Sequence, residues 1–199
     1  MMPPFEMLKF WGKRGIKDPP KKPDQPSRKE NSFEEVANRL LMLSRSLLTD
    51  AGVYDNPNLT DAKDQEVFTN RFTAHLFEAI FPTATIPAYS LNGRNNPIDL
   101  DLKYYLRERF PTRLTITPPV GTDEVASIRQ QRAIDYAAKQ VFRVIAADLR
   151  QQGKQLIFVN SFLKVMQGRQ IGLPYTPSSD VGDGVSRALE IYQRDRIAT

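Results

Sequence analysis

Apolar side chains recur at helical spacing through most of the chain after residue 31. Phe33, Val36, Leu40, Leu43 or Ser44, and Leu47 fall three or four residues apart, which places them on one face of a helix. Ser32 followed by Glu35 has the spacing of a capping box, and Gly52 supplies a stop. Residues 53–60 (VYDNPNLT) read as a turn-rich loop. Phe68, Phe72, Leu76 and Ile80 then recur at steps of four. They predict a second helix from about Asp61 to Phe81, ended by Pro82. The clearest pattern runs from Asp123 to Gln152, where Val125, Ile128, Ala138, Val141, Phe142, Ile145 and Leu149 form one stripe. Thr122 is placed to cap it, Asp123 and Glu124 suit the positive end of the helix dipole, and Gly153 closes it. Residues 154–167 fit a further helix closed by Gly168, although LIFV alone has strand character. After a Gly/Pro/Ser loop over 169–182, Val185, Ala188, Leu189 and Tyr192 mark a last helix. The chain has no internal repeat.

The segment between the second and third long patterns breaks this rhythm. Pro82, Pro87, Pro97, Pro111, Pro118 and Pro119 punctuate residues 82–121. Asn92-Gly93 signals a tight hairpin turn. Ile98-Asp-Leu-Asp-Leu102 alternates with period two, as a half-buried strand does, and Leu114-Thr-Ile-Thr117 is a second short strand candidate. Lys103 to Phe110 fits a short helix. The expected fold is therefore mainly α, with α+β as its variant. A helical pair over 31–82 and a Pro-rich extended or β segment over 83–121 precede a helical hairpin plus C-terminal helix over 122–199.

Residues 1–30 stand apart. They carry eight Lys/Arg (Lys9, Lys13, Arg14, Lys17, Lys21, Lys22, Arg28, Lys29) against four acids, and six of the fifteen prolines. That is +4 of the net charge of +5, so the body is nearly neutral, with 20 basic and 19 acidic side chains. The pI of about 9.4 is thus largely a property of this arm. The arm is too poor in apolar groups to fold on itself. Its aromatics Phe5, Phe10 and Trp11, the only tryptophan, cluster with Leu8 and could share two helical turns ended by Gly12. Residues 17–30 read as an extended linker.

Composition narrows the chemistry. With no cysteine, disulfides, thiolate catalysis and cysteine metal sites are excluded. One histidine leaves little for zinc or Ser-His engines. There is no P-loop, no dinucleotide-binding glycine motif and no nucleophile elbow. No apolar run is long enough to span a membrane. Charges at Glu6 and Lys9 argue against a signal peptide, and Met2 excludes myristoylation at that position. The expected location is cytoplasmic, or in the virion in an infected cell. No cofactor is implied.

Four constellations bear on function. Asp99 and Asp101, two apart on a strand, would share a face and could hold Mg²⁺. The run resembles the paired-acid strand of nucleotidyltransferases, which implies a magnesium-dependent transferase. It departs from that pattern because Arg94 follows Gly93 and no later third carboxylate is visible. The bland reading is a soluble strand edge. Arg129, Arg132, Lys139, Arg143 and Arg150 lie largely off the apolar stripe of their helix, interleaved with Gln130, Gln131, Asp135, Gln140 and Asp148. They fit a solvated face, a docking face for a neighbouring subunit, or a track for nucleic-acid phosphates. His75 shares the face of Phe68 and Phe72 and reads as a core histidine. Tyr104 and Tyr105, beside Arg107 and Arg109, read as one buried and one exposed ring.

Together these features favour a non-enzymatic structural subunit of a larger assembly. A virus or bacteriophage particle, or a bacterial secretion or conjugation machine, would suit it. Phe5, Leu8, Phe10 and Trp11 would dock on neighbouring protein subunits in a homo- or hetero-oligomer; folding back onto the body is the second reading for them, and contact with a membrane surface the weakest, because so short a segment buries little. An accessory nucleic-acid-binding protein using the eight cations of the arm is the alternative. The magnesium transferase on Asp99 and Asp101 comes third.

Overall fold

Five helices and one short 3-10 turn make up the regular structure of the described residues. The structure is a computed structural model, and it describes residues 28–80, 100–112, 121, 123–154 and 175–197. Helix α1 spans Arg28–Asp50, α2 Ala62–Ile80, α3 Leu100–Arg109, α4 Glu124–Gln151 and α5 Ser179–Ile197. Among the described residues there is no strand, and the class is mainly α.

The apolar stripes do what their spacing predicts. Phe33, Val36, Leu40, Leu43 and Leu47 of α1 are buried, and so is Ser44, whose hydroxyl donates to the Leu40 carbonyl at 2.9 Å. That local bond satisfies a polar group inside an apolar face. Both α1 and α4 end in the same six-residue cap. Val53 N–H bonds Leu48 O at 3.0 Å and Gly52 N–H bonds Thr49 O at 2.9 Å. At the end of α4, Lys154 bonds Leu149 and Gly153 bonds Arg150. The reversal needs a left-handed residue, and Gly52 and Gly153 supply φ of +69° and +67°.

Helix α2 lies at the centre, between α1 and α4; α1 also carries α3, and α4 carries α5. Phe68, Phe72 and Leu76 are fully buried there. Gln130 of α4 meets Asp64 near the start of α2, while Leu149 and Ile80 flank one pocket near the two C-terminal ends. The two helices therefore run parallel. Helix α5 runs back along α4, since Gly184 faces Val144 whereas Tyr192 reaches Asp64, which Gln130 also contacts.

Several boundaries differ from expectation. Helix α1 begins at Arg28, four residues before Ser32, so Arg28 and Lys29 belong to the body's first helix and not to the arm. Ser32 then sits inside the helix and cannot cap it. The sequence holds an earlier Ser27-Arg-Lys-Glu30 with the same box spacing, and Arg28, Lys29 and Glu30 are good helix formers. The alternation at 98–102 does not make a strand at 100–102: α3 starts at Leu100. Leu102, Leu106 and Phe110, four apart and all buried, make the helical period the one that packs. Helix α4 is capped by Asp123, whose carboxylate accepts from Val125 N–H at 3.1 Å, not by Thr122. Val125, expected on the buried stripe, is 56% exposed because at 100° per residue it falls on the outward side of α4, nearly opposite the buried Val141. Helix α5 starts at Ser179, so the loop before it is shorter than expected. The Asn92-Gly93 hairpin, the 114–117 strand and nearly all of the 154–167 segment lie outside the described residues.

Candidate functional site

Two buried carboxylates are tied into the fold. Asp64, in the first turn of α2, accepts from the Tyr192 hydroxyl, from Gln130 Nε2 at 3.3 Å and from Arg196 Nη1 at 3.2 Å. One carboxylate thus joins α2, α4 and α5. Burial, then the Asp64 bond and charge, push the Tyr192 hydroxyl up to about 12. Asp148 of α4 takes Tyr175 at 2.7 Å, Gln152 at 2.9 Å and Ser178 N–H at 3.3 Å, all on Oδ2. It fixes the segment entering α5. Burial alone would raise the Asp148 carboxyl, but the Ser178, Tyr175 and Gln152 bonds outweigh it and hold the group below its ordinary value. Burial, then the bond to Asp148, pushes Tyr175 well above the ordinary tyrosine range.

His75 is a core residue, as its face predicts. It packs against Phe142 with ring centroids 6.4 Å apart, and its Nε2 stands 3.6 Å from Asp135 Oδ1. Arg71 donates to the Pro111 carbonyl at 2.9 Å. Burial lowers the Arg71 guanidinium, and Asp135 partly restores it. Two hollows lie nearby. A polar cleft of about 350 Å³ is lined by Arg45, Thr49, Tyr54 and Gln65. An apolar pocket of about 220 Å³ lies between α1, α2 and α4, against Leu47, Phe72, Phe142 and Leu149.

The outward face of α4 is different in kind. Arg129, Arg132, Tyr136, Lys139, Arg143 and Arg150 are all exposed. Spaced by three, four or seven residues, they fall within an arc of roughly 80° and run for about 32 Å along the axis. Val125 and Ala147, also exposed, share the arc. No acid does. Asp148 is buried under Tyr175, Asp135 is turned toward His75, and Gln130 is turned toward Asp64. None of the five cations makes an ion pair among the described residues; the recorded contact is Arg143 to Gln140, at 3.5 Å. By contrast α5 mixes Asp183, Arg187, Glu190 and Arg194 on its exposed side.

The sequence foresaw these cations but interleaved them with Asp135 and Asp148, and it left out Tyr136. The signal was present. At 100° per residue, Asp148 falls between Ala137 and Val141 on the buried side, and Asp135 falls beside Phe142. Asp64 gave no such signal, because its partners lie 66, 128 and 132 residues away. Tyr104 is 63% exposed, while Tyr105 packs on Phe33 with centroids 5.7 Å apart. Asp101 lies in the first turn of α3, and Asp99 lies outside the described residues. So do Phe5, Leu8, Phe10 and Trp11, and Lys9, Lys13, Arg14, Lys17, Lys21 and Lys22. Among the described residues no three of His, Asp and Glu cluster as a metal site would need. No described helix is long and apolar enough to cross a membrane. No protein-family model matches the chain, and neither a curated protein nor a solved structure does.

Proposed function

We propose that the chain is a non-enzymatic binding subunit of a larger assembly, and that it docks on a polyanionic component through the outer face of α4. One observation carries the reading: five exposed cations share an acid-free arc about 32 Å long. A solvated helix face ordinarily mixes signs, as α5 does, and i, i+4 acid–base pairs stabilise it. Helix α4 forgoes those pairs along this arc, since Asp148 is buried, Asp135 faces His75 and the exposed Glu124 lies off the arc, and this concentrates one sign of charge where a partner could meet it. The helix is held rigidly from behind by the Asp64 and Asp148 ties, so the face is presented in one geometry. The basic arm adds charge, and Phe5, Leu8, Phe10 and Trp11 supply apolar anchors for neighbouring subunits. Virus or bacteriophage particles and bacterial secretion or conjugation machines are settings that suit such a subunit.

Chromatography on immobilised heparin tests this. Charge reversal at Arg132→Glu and Arg143→Glu is expected to lower the salt needed for elution more than reversal at Arg187→Glu and Arg194→Glu on α5. Equal effects of the two pairs would mean that α4 is not the docking face.

A further inference from the structure

We infer that the component held along α4 is single-stranded nucleic acid, an inference that rests on the docking reading above. The charge pattern comes first. A phosphate strand is a row of like charges, and it calls for a row of cations without intervening acids. The arc from Arg129 to Arg150 is such a row, with four arginines and Lys139.

Tyr136 is the second observation. It lies on the same arc, between Arg132 and Lys139, and is 49% exposed. A large ring left in water among cations is what a stacking platform for bases requires. In a duplex the base faces are already stacked, so such a ring favours an unpaired strand.

The third observation is what the arc lacks. Its other apolar members are Val125 and Ala147, too little to enter a lipid interface. A protein partner would call for an apolar centre with a charged rim, whereas here the cations run the whole length.

Fluorescence anisotropy on the full chain tests this, using labelled oligo-dT of roughly 16 nucleotides, a mixed-sequence duplex of equal length and poly-glutamate. Arg132→Gln with Arg143→Gln is expected to make the slope of log affinity against log salt for oligo-dT shallower by about 1.4, from about 0.7 per phosphate contact. The same charge loss on α5, Arg187→Gln with Arg194→Gln, is expected to leave that slope unchanged. Tyr136→Ala is expected to weaken oligo-dT by about fivefold or more and to leave the duplex unaffected. An unchanged slope in the α4 pair, or an equal drop in the α5 pair, overturns the inference; so does a silent Tyr136→Ala. If poly-glutamate binds with α4 dependence and oligo-dT does not, the docking reading stands and the nucleic-acid inference falls. If neither heparin nor oligo-dT depends on α4, both fall.

Discussion

Asp64 and Asp148 show how far single residues organise this fold. Each is a buried carboxylate, costly in an apolar interior unless hydrogen-bonded, and each is bonded to side chains from other parts of the chain. Replacing Asp64 by Ala strands the Tyr192 hydroxyl and the Gln130 amide. The expected loss is about 2 kcal/mol in urea unfolding, most of it from the buried Tyr192 bond. Arg196, about half exposed, adds little. Tyr192→Phe should cost about 1.5 kcal/mol. The tyrosines also set an alkaline limit. A raised value in the folded state means that the Tyr192 contribution is whole below its ordinary value of 10.0 and is lost as pH rises through about 12. Unfolding midpoints should fall across that window, less steeply in Tyr192→Phe. At the acid end the sign reverses. Asp148, held below its ordinary 3.8, stabilises above that value and loses its effect as pH falls through the depressed one. Asp148→Asn should lower stability at neutral pH and flatten that acid limb.

At the scale of elements, the contact between α4 and α5 depends on one missing side chain. A Cβ at Gly184 would stand 2.9 Å from both Val144 methyl carbons. Gly184→Ala gains about 1 kcal/mol of helix propensity. Valine is stiff at χ1, however, so the clash must be met by moving a helix, at roughly 1–3 kcal/mol. The variant is expected to be destabilised by about 1 kcal/mol overall, and Val144→Ala in the same chain should restore the propensity gain. A Gly184→Ala chain more stable than the parent would show that the helices separate freely.

The helices themselves were legible because their buried faces are periodic. Leu40, Leu47, Phe68, Phe72, Val141 and Ile145 all face inward as their spacing requires. Gly52 and Gly153 stop their helices where the sequence put them. Starts were less legible, because two Ser-x-x-Glu boxes compete at α1 and because Asp123 and Thr122 are both good caps. The short alternation at 98–102 misled because leucines two apart at 100 and 102 fit a strand, while Leu102, Leu106 and Phe110 extend a helical period over a longer run.

For the whole molecule the decisive property is where charge lies, not how much there is. A net charge of +5 says little about a surface. Folding buries Asp148 and turns Asp135 toward His75 while it leaves the five cations of α4 outside, a separation that depends on which helices pack against it. Lysine acetylation of the full chain, free and saturated with heparin, tests the proposed docking face most directly. Lys139 lies in the basic arc of α4, whereas Lys63 lies in the first turn of α2 and is also exposed. Heparin is expected to slow acetylation of Lys139 severalfold and to leave Lys63 unchanged. Lys139 labelled at the same rate with and without heparin, while lysines of the arm are protected, would contradict the assignment of α4 as the docking face.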